Sequence, residues 1–237
     1  MSRDPDAEAD DPAHGTPRDP TARRPDAAIR DPGLVAGRIE IGPVALDVLR
    51  PLDVDALLDE EAFEHEEFLP YWAELWPSAS TLAERLLDRE LDGVRVLELG
   101  CGLGVSGLVA ARRGARVTAT DWAPDALALL ARNAEVNGVE LELRRLDWFA
   151  PGDAWPEGLP EPWPLVIAAD VLYESRHVPA VLALLDRVVA PGGEAWIADP
   201  GRPPARTFLR EAATVWRADE VGPAEPGAPV VRRLRRR

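Results

Sequence analysis

The 237-residue chain has one cysteine, Cys101, one methionine and no lysine. A single thiol excludes an internal disulfide and fits a reducing compartment, so a cytoplasmic location is expected. No apolar run approaches the roughly 20 residues that span a bilayer, and no basic segment followed by an apolar one opens the sequence. Neither a membrane span nor a secretory signal is therefore expected. The three histidines and the acidic residues show no metal-ligand spacing, so no metal is expected. All 27 basic residues are arginine against 42 acidic ones, a net charge of −15 that speaks against a nucleic-acid footprint. A GC-rich coding bias accounts for the arginine, alanine and proline excess, and no function is assigned to it.

Residues 1–33 contain no aromatic residue and one isoleucine among repeated Asp, Arg, Pro and Ala. They hold too little apolar surface to offset their ordering entropy and read as a disordered tail. The remainder is long enough for one α/β domain. It divides into a hairpin and lid or helix segment, 34–93, and a ligand-binding domain, 94–237.

From residue 94, short apolar runs alternate with helical patterns. Strands are expected at 94–99, 115–121, 139–147, 164–170 and 194–199. The helices between them carry stop and start signals: Gly114 after "VSGLVAARR", Pro124 and Asn137-Gly138 at the ends of the next, and a Gly-Gly turn after the last. Strands separated by single helices imply right-handed crossovers and a parallel sheet covered on both faces. The segment "TVWRADEVGPAEPGAPVVRRLRR" predicts a terminal hairpin, its arginine run reading as a two-faced strand in preference to a binding tail. A second hairpin is expected over 37–51, and an amphipathic helix from about Ser78.

"VLELGCGLG" joins the first strand to a helix through Gly100, Gly102 and Gly104. Glycine permits positive φ and close approach of a ligand, and the helix N-terminus offers free N–H donors. Dinucleotide folds space their glycines differently. Glu98, two residues before the turn, suits a ligand with an ammonium group. Asp121 ends the second strand, where a carboxylate accepts both ribose hydroxyls. Trp122 follows it, and Asp147-Trp148 closes the third strand, placing aromatic rings where an adenine sits. Ammonium, ribose and adenine together describe S-adenosylmethionine.

This constellation resembles the class I, seven-stranded S-adenosylmethionine-dependent methyltransferases. The resemblance implies an α/β fold: a Rossmann-like, doubly wound, mostly parallel seven-stranded sheet with a C-terminal antiparallel hairpin, in three αβα layers. Within that family, "YWAELWPSAS" and "DVLYES" resemble the protein lysine methyltransferases of the nicotinamide-methyltransferase-like branch. The resemblance implies that Trp76 lines the cofactor pocket, that Ala169 joins it, and that Asp170 and Tyr173 form an acid-x-x-Tyr acceptor motif. Trp72 reads as core or lid. Asp170 is expected to orient a lysine ammonium, Tyr173 to border its channel, and Glu174 to add negative field. Methyltransferases acting on planar amide-type nitrogens carry Asn/Asp-Pro-Pro-Tyr here, so they are disfavoured.

"IADPGRP" resembles the electron transfer flavoprotein β-subunit lysine methyltransferases, with Arg202 pairing either with Asp199 or with an acidic substrate surface. His177 reads as a surface histidine near a helix start, and Cys101 as a small residue without a redox role. The expected activity is N-methylation of lysine side chains on a protein, by a monomer that binds neither nucleic acid nor membrane. Two alternatives stay open: a small-molecule amine methyltransferase, and a non-catalytic cofactor-binding interaction protein.

Overall fold

The structure is a computed structural model and describes residues 33–57, 70–149, 162–223 and 226–237. All but the last residue of the expected disordered tail lies outside them.

Strands β1 (Leu34–Ile41) and β2 (Val44–Pro51) form the first hairpin, paired from Leu34–Pro51 to Ile41–Val44. Gly42, at φ 53°, and Pro43 make the two-residue loop, with glycine where such a turn needs positive φ. Helix α1 (Pro77–Leu87) follows, with proline at its first position, where no N–H is missed.

The sheet contains β3 (Arg95–Leu99), β4 (Arg116–Asp121), β5 (Glu142–Arg145), β6 (Trp163–Ala169), β7 (Val189–Asp199), β8 (Trp216–Glu220) and β9 (Val230–Arg236). Helices α2 (Val105–Arg112), α3 (Pro124–Val136), α4 (His177–Val188) and α5 (Pro203–Ala212) connect them. The spatial order is β5-β4-β3-β6-β7-β9-β8. Pairs from β5 through β7 are parallel, and β9 runs antiparallel to both β7 and β8. The seven-stranded, three-layer architecture expected from the resemblance is the one observed.

Alternation along the strands sorts side chains to the two faces. Val96, Val117, Leu165, Ile167 and Trp196 join Leu82, Leu86, Leu108 and Leu130 in one core. Leu97, Leu99, Val166, Ala195 and Ile197 join Val181, Leu185 and Phe208 in the other. The hairpin adds Ile41, Leu46, Val48 and Leu49 to the first core.

Two asparagines fix the hairpin there. Asn133 Oδ1 accepts the Leu49 N–H at 2.7 Å, while its Nδ2 donates to the carbonyls of Leu49 and Leu103, each at 3.2 Å. One turn later Asn137 accepts the Asp47 N–H at 3.0 Å and donates to the Asp47 carbonyl at 2.7 Å. These amides satisfy backbone groups of β2 that a neighbouring strand would otherwise pair.

The first hairpin begins at Leu34 and not at residue 37, and two strands of the sheet also differ from expectation. The third strand of the sheet spans only Glu142–Arg145. Ahead of it the Gly138 and Val139 N–H groups donate to Glu135 and Ala134 carbonyls to close α3, and behind it Asp147 begins a turn. The fifth begins at Val189, directly after α4, because β6 passes from Trp163 to Leu165 while β7 passes from Val189 to Glu194. The Gly-Gly pair is therefore a bulge inside a strand and not the turn after the helix.

Candidate active site

The cradle at the end of β3 is built from backbone. Gly100, Gly102 and Gly104 have φ of 61°, 48° and 78°. A Cβ on Gly102 would lie 3.1 Å from the Trp72 carbonyl oxygen, and one on Gly104 only 2.1 Å from Leu130 Cδ1. Side chains are thus excluded by conformation and by space. Trp72 packs on the first core and its backbone borders the turn, which settles it as core. The Cys101 thiol is buried, and burial, with the Asp121 and Glu98 carboxylates beside it, pushes its pKa well up. A thiol so placed is inert.

Glu98 lies beneath the turn, 4% exposed. Its Oε1 accepts the Gly107 N–H at 3.2 Å, while Oε2 is buried without a hydrogen-bond partner among the described residues. Burial dominates the Gly107 hydrogen bond, and with the Asp121 charge it raises the Glu98 pKa to about 8. Asp121 is also buried. Its Oδ2 accepts the Gly102 N–H and its Oδ1 the Ala123 N–H, each at 3.0 Å. Burial raises its pKa in spite of those bonds. A carboxylate has about four lone-pair sites, so Asp121 organises the turn and keeps acceptor capacity for a ligand.

Trp122, next in sequence, is a large exposed apolar residue beside this carboxylate. Asp147 is exposed, and its Oδ1 accepts the Phe149 N–H at 2.8 Å. It therefore shapes the turn that carries Trp148. The Trp148 ring lies 3.3 Å from where a Gly100 Cβ would sit, and its Nε1 is buried without a partner among the described residues. Trp76 caps α1, with Nε1 donating to the Tyr71 carbonyl at 2.8 Å. Ala169 is the last residue of β6 and packs on the first core.

The expected acceptor motif begins one residue later. Asp170 has φ 57°, the one positive φ outside glycine among the described residues; aspartate tolerates this region better than most side chains. Its N–H donates to the Ala198 carbonyl at 3.0 Å. Its Oδ1 accepts from Arg202 Nη1, and its Oδ2 is buried without a hydrogen-bond partner among the described residues. Arg202 Nη1 also donates to Asp199 Oδ2 at 3.2 Å. Of the two expected partners of Arg202, Asp199 is therefore present, and Asp170 is one that sequence reasoning missed. Burial opposes the Arg202 charge, but the hydrogen bond and charge of Asp170 and the charge of Asp199 outweigh it and raise the guanidinium pKa further.

Tyr173 stands at the rim, its ring 5.4 Å from Tyr71 and 4.4 Å from His177. Burial first, then the Glu174 and Asp121 charges, pushes its phenol up to about 12. It stays protonated at neutral pH. Glu174 is ion-paired with Arg176 at 2.7 Å, which offsets the negative field expected of it.

His177 is 2% exposed, not a surface residue. It is enclosed by Tyr173 at 4.4 Å, Trp148 at 5.9 Å and Phe149 at 5.6 Å. Burial lowers its pKa, so it is neutral at pH 7. Histidine at a helix start usually faces water; here the turn from β6 folds it under the aromatic cluster. Tyr71 opens the "YWAELWPSAS" motif but was given no role of its own, and Phe149 was marked only by the adjoining Trp148.

These elements meet at one point. The position of a Gly100 Cβ lies 3.1 Å from Val171 Cγ1, so the glycine turn abuts the turn that carries Asp170 and Tyr173.

The family model described as lysine methyltransferase matches residues 70–209. The electron transfer flavoprotein beta subunit lysine methyltransferase of Xenopus laevis is 34% identical over 137 residues, 56% of this chain and 53% of that protein. EEF1A lysine methyltransferase 3 of Mus musculus is 31% identical over 145 residues, 58% of this chain and 60% of that protein. The chain thus spans about half of the length of these curated relatives, or a little more. Among solved structures, the T. thermophilus 16S rRNA N2 G1207 methyltransferase in complex with AdoMet and guanosine has a TM-score of 0.62 at 17% identity. The match covers 86% of this chain and 51% of that one, and shows a shared fold.

Proposed function

Since the chain belongs to the lysine methyltransferase family, we propose that it transfers a methyl group from S-adenosylmethionine to lysine side chains of a protein. The observation that carries this reading is the contact of the glycine turn with the turn holding Asp170 and Tyr173. A methyl donor seated in one lies against an acceptor seated in the other.

The residues present fit the cofactor. Asp121 retains lone pairs for a ribose, Trp122 and Trp148 offer ring surfaces for adenine, and Trp76, Asp147 and Ala169 complete the wall. Glu98 Oε2, buried and unpartnered, suits the charge of an ammonium group. When bound, S-adenosylmethionine supplies a methyl group on a cationic sulfur. The protein then positions a nitrogen in line with it and manages that nitrogen's charge.

A lysine amine with a pKa near ~10.4 arrives as a cation. Asp170 Oδ2 receives it. Tyr173, protonated, borders the channel and acts as a hydrogen-bonding wall, not as a base. The proton leaves to water before the amine attacks, and the aromatic rim of Tyr71, Tyr173 and Phe149 covers the aliphatic stem. We take the enzyme to act as a cytoplasmic monomer on a protein partner, with electron transfer flavoprotein β subunit as the first candidate. The net charge of −15 disfavours nucleic acid. Among the described residues no helix is long and apolar enough to cross a membrane.

The test is transfer from labelled cofactor into a cell lysate, followed by mass spectrometry of the labelled band. Methyllysine in a protein supports the reading. Label confined to the small-molecule filtrate overturns it in favour of an amine metabolite.

A further inference from the structure

Arg202 reaches both halves of the site. Its Nη1 donates to Asp170 Oδ1 and to Asp199 Oδ2, and its guanidinium carbon lies 5.9 Å from the centre of the Trp76 ring. The loop that carries it is wound around the same carboxylate. Asp199 Oδ1 accepts the N–H groups of Gly201 at 2.6 Å and Arg202 at 2.8 Å. Pro203 then starts α5 directly after it. The guanidinium is thus held by two acids, a ring and a short rigid loop.

We propose that Arg202 is a positioning residue for methyl transfer: it grips Asp170 Oδ1, so that Oδ2 alone faces the acceptor, and it packs on Trp76 to keep the acceptor and cofactor walls in register. The assignment rests on the lysine-acceptor reading above.

Three arguments support it. The carboxyl torsion of aspartate is broad and nearly two-fold, so an ungripped Asp170 would present either oxygen in several directions. A displacement of about 1 Å in an acceptor costs on the order of 100-fold in rate. Second, Asp170 sits at φ 57°, a strained conformation that persists only where surrounding contacts impose it; the Ala198 and Arg202 bonds are those contacts. Third, Asp170, Asp199 and Arg202 together carry one net negative charge. That draws in a lysine cation without leaving two bare carboxylates to trap it. Lysine in place of Arg202 keeps the charge but loses the planar fork and the stack.

The experiment compares the full chain with R202M and R202K, using the acceptor that the wild type labels. Expected for R202M is a kcat lower by about 100-fold, with calorimetric cofactor Kd within about threefold and an acceptor KM no higher than that of the wild type. R202K should recover at least about tenfold of the loss. Without cofactor or turnover, carbon-13 spectra of aspartate-labelled protein, assigned with D170N, should show the Asp170 carboxyl resonance broadened or shifted in R202M. An unchanged kcat or an unchanged Asp170 resonance in R202M would overturn the assignment. So would a failure of R202K, shown folded by its melting, to recover any rate. Cofactor affinity falling as far as kcat would also overturn it, by placing Arg202 in the cofactor site. If the wild type labels only an amine metabolite, the protein-lysine reading falls separately, and the same ratios are read with that amine.

Discussion

Glu98 holds a proton that its sequence position does not announce. Its folded pKa of about 8, set chiefly by burial, stands above the ordinary 4.5. Its contribution to stability is therefore complete below pH 4.5 and is lost as the pH rises to about 8. At about 1.4 kcal/mol per unit, the loss is on the order of a few kcal/mol. Ligand-free wild type should lose more stability across that window than E98Q, which keeps only the share that the buried Asp121 contributes, as denaturation curves at several pH values will read. In the proposed complex a ligand ammonium pulls the Glu98 pKa down, so binding at pH 7 should release protons. Calorimetry in buffers of different ionisation enthalpy measures this, and no release would separate Glu98 from the ammonium. D170N, isosteric and tolerant of positive φ, should lower transfer by about 100-fold with cofactor affinity little changed; equal turnover would remove its role in orienting the acceptor. That the glycines, Asp121 and Asp170 stand at strand ends was legible from the strand and helix pattern, whereas the parts given to Asp170 and Tyr173 came from the family resemblance. The Arg202–Asp170 pair was not legible, because 32 residues separate its members and no local pattern encodes the approach of two strand ends. His177 misled for the same reason.

Helix α3 works as a clamp as well as a cover. Asn133 joins β2 to the glycine turn through the Leu49 and Leu103 carbonyls. N133A leaves buried backbone groups of Leu49 unpaired, at a cost of about 1–3 kcal/mol. Hydrogen exchange at the Leu49 amide should quicken in step with that loss, and Leu49 exchanging as in wild type would show that the hairpin docks on apolar contacts alone. G104A combines φ 78° with a Cβ 2.1 Å from Leu130. It should lower both melting temperature and cofactor affinity, read by thermal melts and calorimetry. Helix starts and stops were legible because proline and glycine act locally. The short β5 and the bulge in β7 were not, since each depends on what the neighbouring strand offers.

The whole sheet depends on a strand placed out of chain order. β9 separates β7 from β8, pairing with both, and Leu234 on it is fully buried in the second core. A chain stopped after residue 229 removes an interior strand, not an edge. It should lack cooperative unfolding by circular dichroism and elute as aggregate; a monomer with a sharp melt would show that β3–β7 suffice. Alternation of strands and helices made the parallel half legible from residue 94 onward. The terminal hairpin was legible as two strands, but its place in the sheet came from the family resemblance and not from periodicity. The late strand also sets a timetable. As the polypeptide leaves the ribosome, β7 emerges with one flank unsatisfied, and β8, made next, is not the partner that covers it. That flank stays sticky until β9 slides between them, and in this interval the nascent protein is most open to chaperones and to mispairing.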